Sequence, residues 1–367
     1  MDTGSKLPTY LKLSQILIGL TAFFYILFVG QDIIVPLIYA MLIAILLNPL
    51  VNLLCRYKFP RVIAILIAIL AAYILVSGII YFISAQTLKF GSSFPQIKEK
   101  FNFMFKDLID WVSHTFNLST KKINSSINNF KGEGMKNGGV LIGQTLSTVS
   151  GVLIMLFLLP VYVFMILFYK TLLVEFIGQL FPKAQHATVG EVLIETKALV
   201  QNYLLGLLIE MTIVAILNTT ALIILGIEYA LLLGVIGAIL NLIPYIGGLV
   251  AIALPMLIAL ATKEPVYALY VFIAYIIVQF IDNNFLVPKI VASKVKINAL
   301  VSIVVVLIGG ALWGVAGMFL SIPLTAILKV IFDRIEPLKP WGYLLGDTIP
   351  PMVSFKIRMP KKRVEKK

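Results

Sequence analysis

The stretch NLIPYIGGLVA, Asn241 to Ala251, decides how this chain folds. It sits in the middle of an apolar run from Tyr229 to Ala261 whose flanks are fit to cross a membrane. Asn241 is polar, Pro244 lacks the N–H that a helix interior needs, and Gly247 and Gly248 weaken any helix through them. Peptide groups freed at such a depth cannot bond to lipid, so the break must be buried in protein or line a wet cavity. The run is about 33 residues long, whereas one crossing needs about 20. It is either a long tilted span or two short helices folded back as a re-entrant hairpin with its tip at Pro244–Gly248.

A second run of similar length, Ala299 to Phe332, has the same problem and a similar centre. Its midpoint is GGALWGVAG, where Gly309, Gly310, Gly314 and Gly317 permit tight turns and close backbone approach. A faint internal echo, offset from the tips, links the two runs: GVIGAILNLIP, Gly234 to Pro244, and GVAGMFLSIP, Gly314 to Pro323. Charge chooses between the two geometries, because cytoplasmic loops are enriched in lysine and arginine. With a cytoplasmic N-terminus, the linker CRYKFPR is also cytoplasmic and the fifth span ends outside near Glu228. Single crossings would put Lys289, Lys294 and Lys296 outside. Hairpins put these three inside and move only Lys263 outward. The basic tail KKRVEKK is inside in both cases.

Composition agrees with a membrane location. The 367 residues are 60% hydrophobic and 13% charged, against about 25% charged in soluble domains. Long continuous apolar stretches call for helices, since a barrel would alternate in short segments. The expected fold is all-α: a polytopic helical membrane protein of about six full spans, two broken or re-entrant helical hairpins and a small extracytoplasmic helical lobe. Spans are expected at Leu11–Gly30, from there to Leu54, and at Val62–Ser84, Leu146–Tyr169, Leu199–Leu225 and Val266–Leu286. Residues 1–85 carry the first three spans. Residues 86–140 form an amphipathic lobe followed by an Asn/Ser/Gly linker. Residues 141–335 are the core, with interfacial helices over 170–198 and hairpins near 229–262 and 299–332. Residues 336–367 are a cytoplasmic basic tail. The first apolar run has no small-residue cleavage site and leads straight into a second span, so no cleaved signal is expected.

The net charge of +13 is carried by loops and the tail, with no basic helix or aromatic-interleaved patch, so nucleic acid is not an expected partner. Enzyme constellations are missing. His114 and His186 fall in different polar segments, no metal-ligand spacing occurs, and no glycine group is followed by Lys-Ser/Thr. No metal and no cofactor are expected. The single cysteine, Cys55, rules out an intrachain disulfide.

Polar residues inside apolar spans are the functional candidates. Glu210 lies near the centre of the fifth span, with Gln201 and Asn202 before it and Asn218 two turns after. An ionised carboxylate at bilayer centre costs at least about 2.5–3.5 kcal/mol, so it must face protein or water. Gln279, Asp282, Asn283 and Asn284 offer oxygen ligands of the kind hard cations take. Asn241 and Tyr245 stand at the first tip and could meet a solute. The competing reading makes each of these structural: a hydrogen bond between helices, a helix cap, or an interfacial anchor.

LLNPLVNLLCRYKFPRVIAILI (Leu46 to Ile67), NLIPYIGGLVAIALP and the segment from NNFLVPKI (Asn283) through GGALWGVAGMFLSIPL together resemble the autoinducer-2 exporter (AI-2E) family of bacterial inner-membrane permeases. The resemblance covers nearly the whole chain apart from the lobe and tail. It implies a multi-span transporter of the bacterial cytoplasmic membrane, some members exporting a small signalling sugar derivative and others linked to sodium/proton antiport. The family's Pro-Tyr-x-Gly motif falls on Pro244, Tyr245 and Gly247. Its polar segment falls on Gln279, Asp282, Asn283, Asn284 and Pro288. Where members carry a His-Pro pair before the last run, this chain has Ile297 to Leu300, which loosens any transfer of a particular cargo.

The expectation is therefore a secondary transporter, with both termini cytoplasmic. It would move a small polar solute resembling autoinducer-2, or a cation, by alternating access at the broken helices, coupled to sodium or protons. The lipid bilayer and a second copy in a homo-oligomer are the other expected partners. A non-transporting membrane scaffold for envelope assembly, or a channel, are the alternatives.

Overall fold

A computed structural model describes residues 8–116, 157–244, 247–291 and 297–347. Among these the chain is helical throughout, apart from turns and an isolated antiparallel bridge between Ile297 and Gly346. The helices are α1 Thr9–Val29, α2 Gln31–Arg56, α3 Arg61–Phe116, α4 Phe157–Phe168, α5 Lys170–Gln179, α6 His186–Ile224, α7 Ala230–Asn241, α8 Gly247–Thr262, α9 Pro265–Ile281, α10 Ala299–Arg334 and α11 Lys339–Leu345. A π-helix, Asp282–Val291, continues α9. Pro288 lies inside it, and the wider turn relieves the clash between a proline ring and the carbonyl one turn back.

Six of these helices are long and apolar enough to cross a membrane: α1, α2, the first part of α3, α6, α9 with its π extension, and α10. The fourth expected span is described only from Phe157, and α4 bends by 64° into α5. The remainder of that span, Tyr245, Lys294, Lys296, most of the linker and the basic tail lie outside the described residues.

Two helices are longer than their expected spans. α3 passes through Ser84 to Phe116 without a break. The amphipathic segment from Gln86 is thus a continuation of the third span. α6 begins at His186, so the second interfacial segment of 170–198 is one rod with the fifth span. The chain breaks before it instead, at Pro182 and the 3₁₀ turn Lys183–Gln185. At 1.5 Å per residue α6 is about 58 Å long, well beyond a hydrocarbon core of about 30 Å.

α6 is the axis of the molecule. Its Val200, Tyr203 and Leu204 pack with Val35 and Leu42 of α2 and with Leu320 and Ala326 of α10. Its Leu222 packs with Ala230, Leu233, Ala251, Ile258 and Ala259 of α7 and α8 and with Val271 and Tyr275 of α9. A third cluster joins α2, α3 and α4 through Ala40, Ala44, Ala64, Ala68, Val163 and Leu167. Small residues dominate the α2–α3 contact, as suits helices that associate by close packing in lipid. The outward faces are apolar too, with Ile18, Tyr25 and Ile26 of α1 exposed.

The first long run is a helical hairpin. α6 ends in a Schellman motif: Gly226 has φ 62°, Ile227 N–H bonds Leu222 C=O at 2.9 Å, and Gly226 N–H bonds Ile223 C=O at 2.9 Å. α7 then returns along α6, so close that a Cβ at Gly234 would overlap Thr219. α7 ends at Asn241, and Gly247 N–H bonds Ile243 C=O at 3.0 Å as α8 starts. A Cβ at Gly247 would overlap the Leu240 carbonyl, and one at Gly237 would touch Ala251. The run's two ends meet again: the Lys263 amine lies 3.6 Å from where a Gly226 Cβ would stand. A single crossing would hold these ends a membrane apart. α7 and α8 are about 18 and 24 Å long, each too short to cross alone.

The second long run folds back as well. Inside α10, Trp313 (φ −134°, ψ 19°) and Gly314 (φ 60°, ψ −143°) leave helical geometry. Cβ atoms at Gly309 and Gly317 would each overlap the other's backbone, and one at Gly309 would also meet the Ser321 hydroxyl. Residues 309 and 321 would stand about 18 Å apart in a straight helix. The tip docks on the first two helices: Trp313 Nε1–H donates to Leu27 C=O at 2.9 Å and Tyr39 O–H to Ala316 C=O at 3.2 Å. Pro323 is buried in the returning limb. Asn298 caps α10 by accepting from Val301 N–H at 2.9 Å, while its amide donates to Leu344 and Gly346 carbonyls and binds α11 beneath.

Candidate functional site

The tip of the first hairpin, α6 and the α9–π junction bring polar groups together. Asn241, the last residue of α7, donates from Nδ2 to Asp282 Oδ2 at 2.8 Å. Asp282 is the first residue of the π-helix and only 1% exposed. Its second oxygen, Oδ1, is buried with no hydrogen-bond partner. Glu210, 6% exposed on α6, stands near enough for its charge and that of Asp282 to repel. Asn241 and Asp282 thus meet within the helical core, with the buried carboxyl of Glu210 on the adjoining α6.

The site's depth follows from α6. Glu210 lies fifteen residues, about 22 Å, from Leu225, where α6 turns into α7. α7 runs back along α6 and places Asn241 at the level of Glu210. Gly248 opens α8 beside them, and its missing side chain leaves the room that Gln279 Oε1 and Asn241 Oδ1 border.

A second group of polar atoms extends from the site towards the α6–α7 turn. Asn218 of α6 and the Tyr275 hydroxyl of α9 both reach Gly237, each 3.4 Å from where its Cβ would be. Asn218 Oδ1, Thr219 Oγ1 and Tyr275 Oη are buried and unpartnered. Buried polar atoms rarely go unsatisfied. With Asp282 Oδ1 this makes four unpartnered buried oxygens on α6, α9 and the π-helix.

Of the other sequence candidates, Gln279 borders the site at Gly248 and the rest fall elsewhere. Gln279 is half-buried and donates to Asn283 Oδ1 at 3.4 Å. Asn283 and Asn284 are exposed on the π-helix, where Asn284 donates to the Phe280 carbonyl at 2.9 Å. Gly309, Gly310, Gly314 and Gly317 build the second tip and carry no polar side chain to this centre. Among the described residues no His/Cys/Asp/Glu group has the makings of a metal site. Tyr275 was not among the sequence candidates. Tyr275 had one available signal, since residues 275, 279 and 282 form an i, i+4, i+7 stripe.

Fold and site together define a polytopic helical membrane protein with a polar centre at its broken helices. The sequence profile described as AI-2E family transporter matches residues 15–336. The Bacillus subtilis protein YueF, described as a candidate transport protein, is 30% identical over 82% of this chain and 83% of its own length. The AI-2 transport protein TqsA of Escherichia coli is 25% identical over 87% of this chain and 90% of its own. The candidate permease PerM of Escherichia coli is 27% identical over 57% and 60%. The chain belongs to the AI-2E family and is a bacterial multi-pass membrane transporter.

Proposed function

We propose that this protein is a secondary transporter that moves a small polar solute or a cation across the bacterial cytoplasmic membrane. Glu210 and Asp282 bind the coupling proton or sodium ion, and Asn241 holds Asp282 in register with the first hairpin tip. The observation that carries the reading is Asp282, buried at the α9–π junction with one oxygen unpartnered, in a core that also buries the carboxyl of Glu210. Two nearby acids in low dielectric share positive charge best when a proton or cation sits between them. Movement of the hairpins α7–α8 and α10 against α6 would expose this centre to one face and then the other. Both termini are cytoplasmic, and the hairpin tips enter from opposite faces. TqsA is named for AI-2 transport, and a small polar signalling molecule of that kind is the cargo proposed here. A homo-oligomer is the proposed assembly.

The test is flux into proteoliposomes across a panel of small polar solutes, under imposed proton or sodium gradients. Solute movement should follow one of the gradients, and Glu210→Gln and Asp282→Asn should each uncouple it. Coupled flux unchanged in both variants would sink the assignment.

A further inference from the structure

A second polar site lies along the half of α6 away from the hairpin turn. A cavity of about 540 Å³ opens between α2 and α6, lined by Asn48, Asn52, Arg56, Lys197 and Gln201 with the apolar wall Leu50 and Leu53. Asn48 is 5% exposed. Its Oδ1 accepts from Lys170 Nζ at 3.0 Å, while its Nδ2 is buried without a partner. Lys197 and Arg61 both act on Lys170 as like charges. Arg61 Nη2 is held by the Leu167 carbonyl at 2.7 Å. Arg56 of α2 and Lys197 of α6 thus line the cavity, Lys170 of α5 reaches its Asn48, and Arg61 of α3 stands near Lys170; among the described residues no acidic side chain pairs with any of the four, and Glu191 and Glu195 of α6 are occupied by Arg334.

We propose that this cavity binds a phosphate-bearing anion. Converging cations repel one another and gain from a shared counterion, and phosphate offers oxygens for several donors at once. Asn48 supplies what a plain interfacial charge belt does not: a buried amide donor with nothing to donate to. The volume far exceeds one phosphate, and Leu50 and Leu53 give the excess an apolar side. This suits a phosphate ester carrying a small organic group, either an anionic phospholipid headgroup or a soluble phosphorylated solute. The cavity sits thirteen residues along α6 from Glu210, about 20 Å, and its ligand is held whether or not the protein moves solute.

Binding to the purified full chain in non-ionic detergent tests this, by native mass spectrometry with phosphatidylglycerol or phosphatidylcholine and by equilibrium dialysis with inorganic phosphate. Saturable binding of phosphatidylglycerol over phosphatidylcholine, indifferent to millimolar inorganic phosphate, assigns a lipid headgroup. Saturable binding of inorganic phosphate itself assigns a soluble ligand. Either should weaken at least tenfold in the double variant Arg56→Gln/Lys197→Gln, both exposed positions, and should survive in Lys197→Arg. Lys58→Gln, in the same linker but off the cavity wall, should change affinity less than twofold. No saturable binding of either probe, or equal losses in Lys58→Gln, overturns the proposal.

Discussion

The Asn241 amide donates to the Asp282 carboxylate across 2.8 Å, joining the end of α7 to the start of the π-helix over forty-one residues of chain. This bond fixes the first hairpin tip against α9. Among the described residues the Asp282 side chain makes no other hydrogen bond, since Oδ1 has no partner.

Removing the donor should be costly. Asn241→Ala leaves the whole Asp282 carboxylate buried and unpaired, and an abandoned buried acceptor costs about 1–3 kcal/mol. Asn241→Ala should therefore melt earlier than the parent in detergent. The double variant Asn241→Ala/Asp282→Ala should recover part of the loss, because the stranded acceptor is gone. A double variant with the full sum of the two single losses would show that the pair does not interact.

The glycines of the two hairpins divide into those that must be small and one that must be left-handed. At Gly247, Gly309 and Gly317 a Cβ would strike backbone, which cannot rotate away. Alanine there should cost about 1–3 kcal/mol or more through overpacking. Each variant should lose monodisperse protein on size-exclusion chromatography, while Gly178→Ala, with open space around it, should not. Equal behaviour of all four would contradict the tight limb contacts.

Gly314 is the other kind. Nothing lies within 4 Å of its would-be Cβ, yet its φ of 60° with ψ of −143° is a region open in practice only to glycine. Gly314→Ala should destabilise by about 1–3 kcal/mol with no clash to blame. Gly19→Ala, mid-helix in α1 and also unobstructed, should hold or gain stability by up to about 1 kcal/mol. Thermal melts of the two variants side by side decide this.

Much of this architecture was legible from local conflict in the sequence. A proline, an asparagine and two glycines inside a run too long for one crossing point to a break, and in the structure α7 ends at Asn241 and α8 starts at Gly247. Glu210 and Asp282 were visible because a carboxylate in an apolar run needs a reason. The helix lengths were not legible: at Ser84 and at Ala198 the composition changes from apolar to amphipathic, but no residue there stops a helix. Nor were Asn218 and Tyr275 placed in advance, because their meeting at Gly237 depends on how α6, α7 and α9 cross. The contact between Asn48 and Lys170 spans 122 residues and leaves no periodic trace.

The orientation of the hairpins in the membrane yields the last prediction. The structure sets Lys263 beside Gly226, so the α6–α7 and α8–α9 turns share one end of the molecule. Lys289, on the π-helix beyond Asp282, is carried away from that end by α9. A cytoplasmic N-terminus then puts position 263 outside and position 289 inside, and the crossings of α1, α2, α3, the fourth expected span and α6 must agree with it. Cys55 is the sole cysteine, so a Cys55→Ser background gives a clean chain for single-cysteine labelling in intact cells. An impermeant maleimide should react with cysteine at 263 from outside, and with cysteine at 289 or 339 only after permeabilisation. Labelling of position 289 from outside would mean that the first long run crosses the membrane once, and would leave the packing of Gly237 on Ala251 without an explanation.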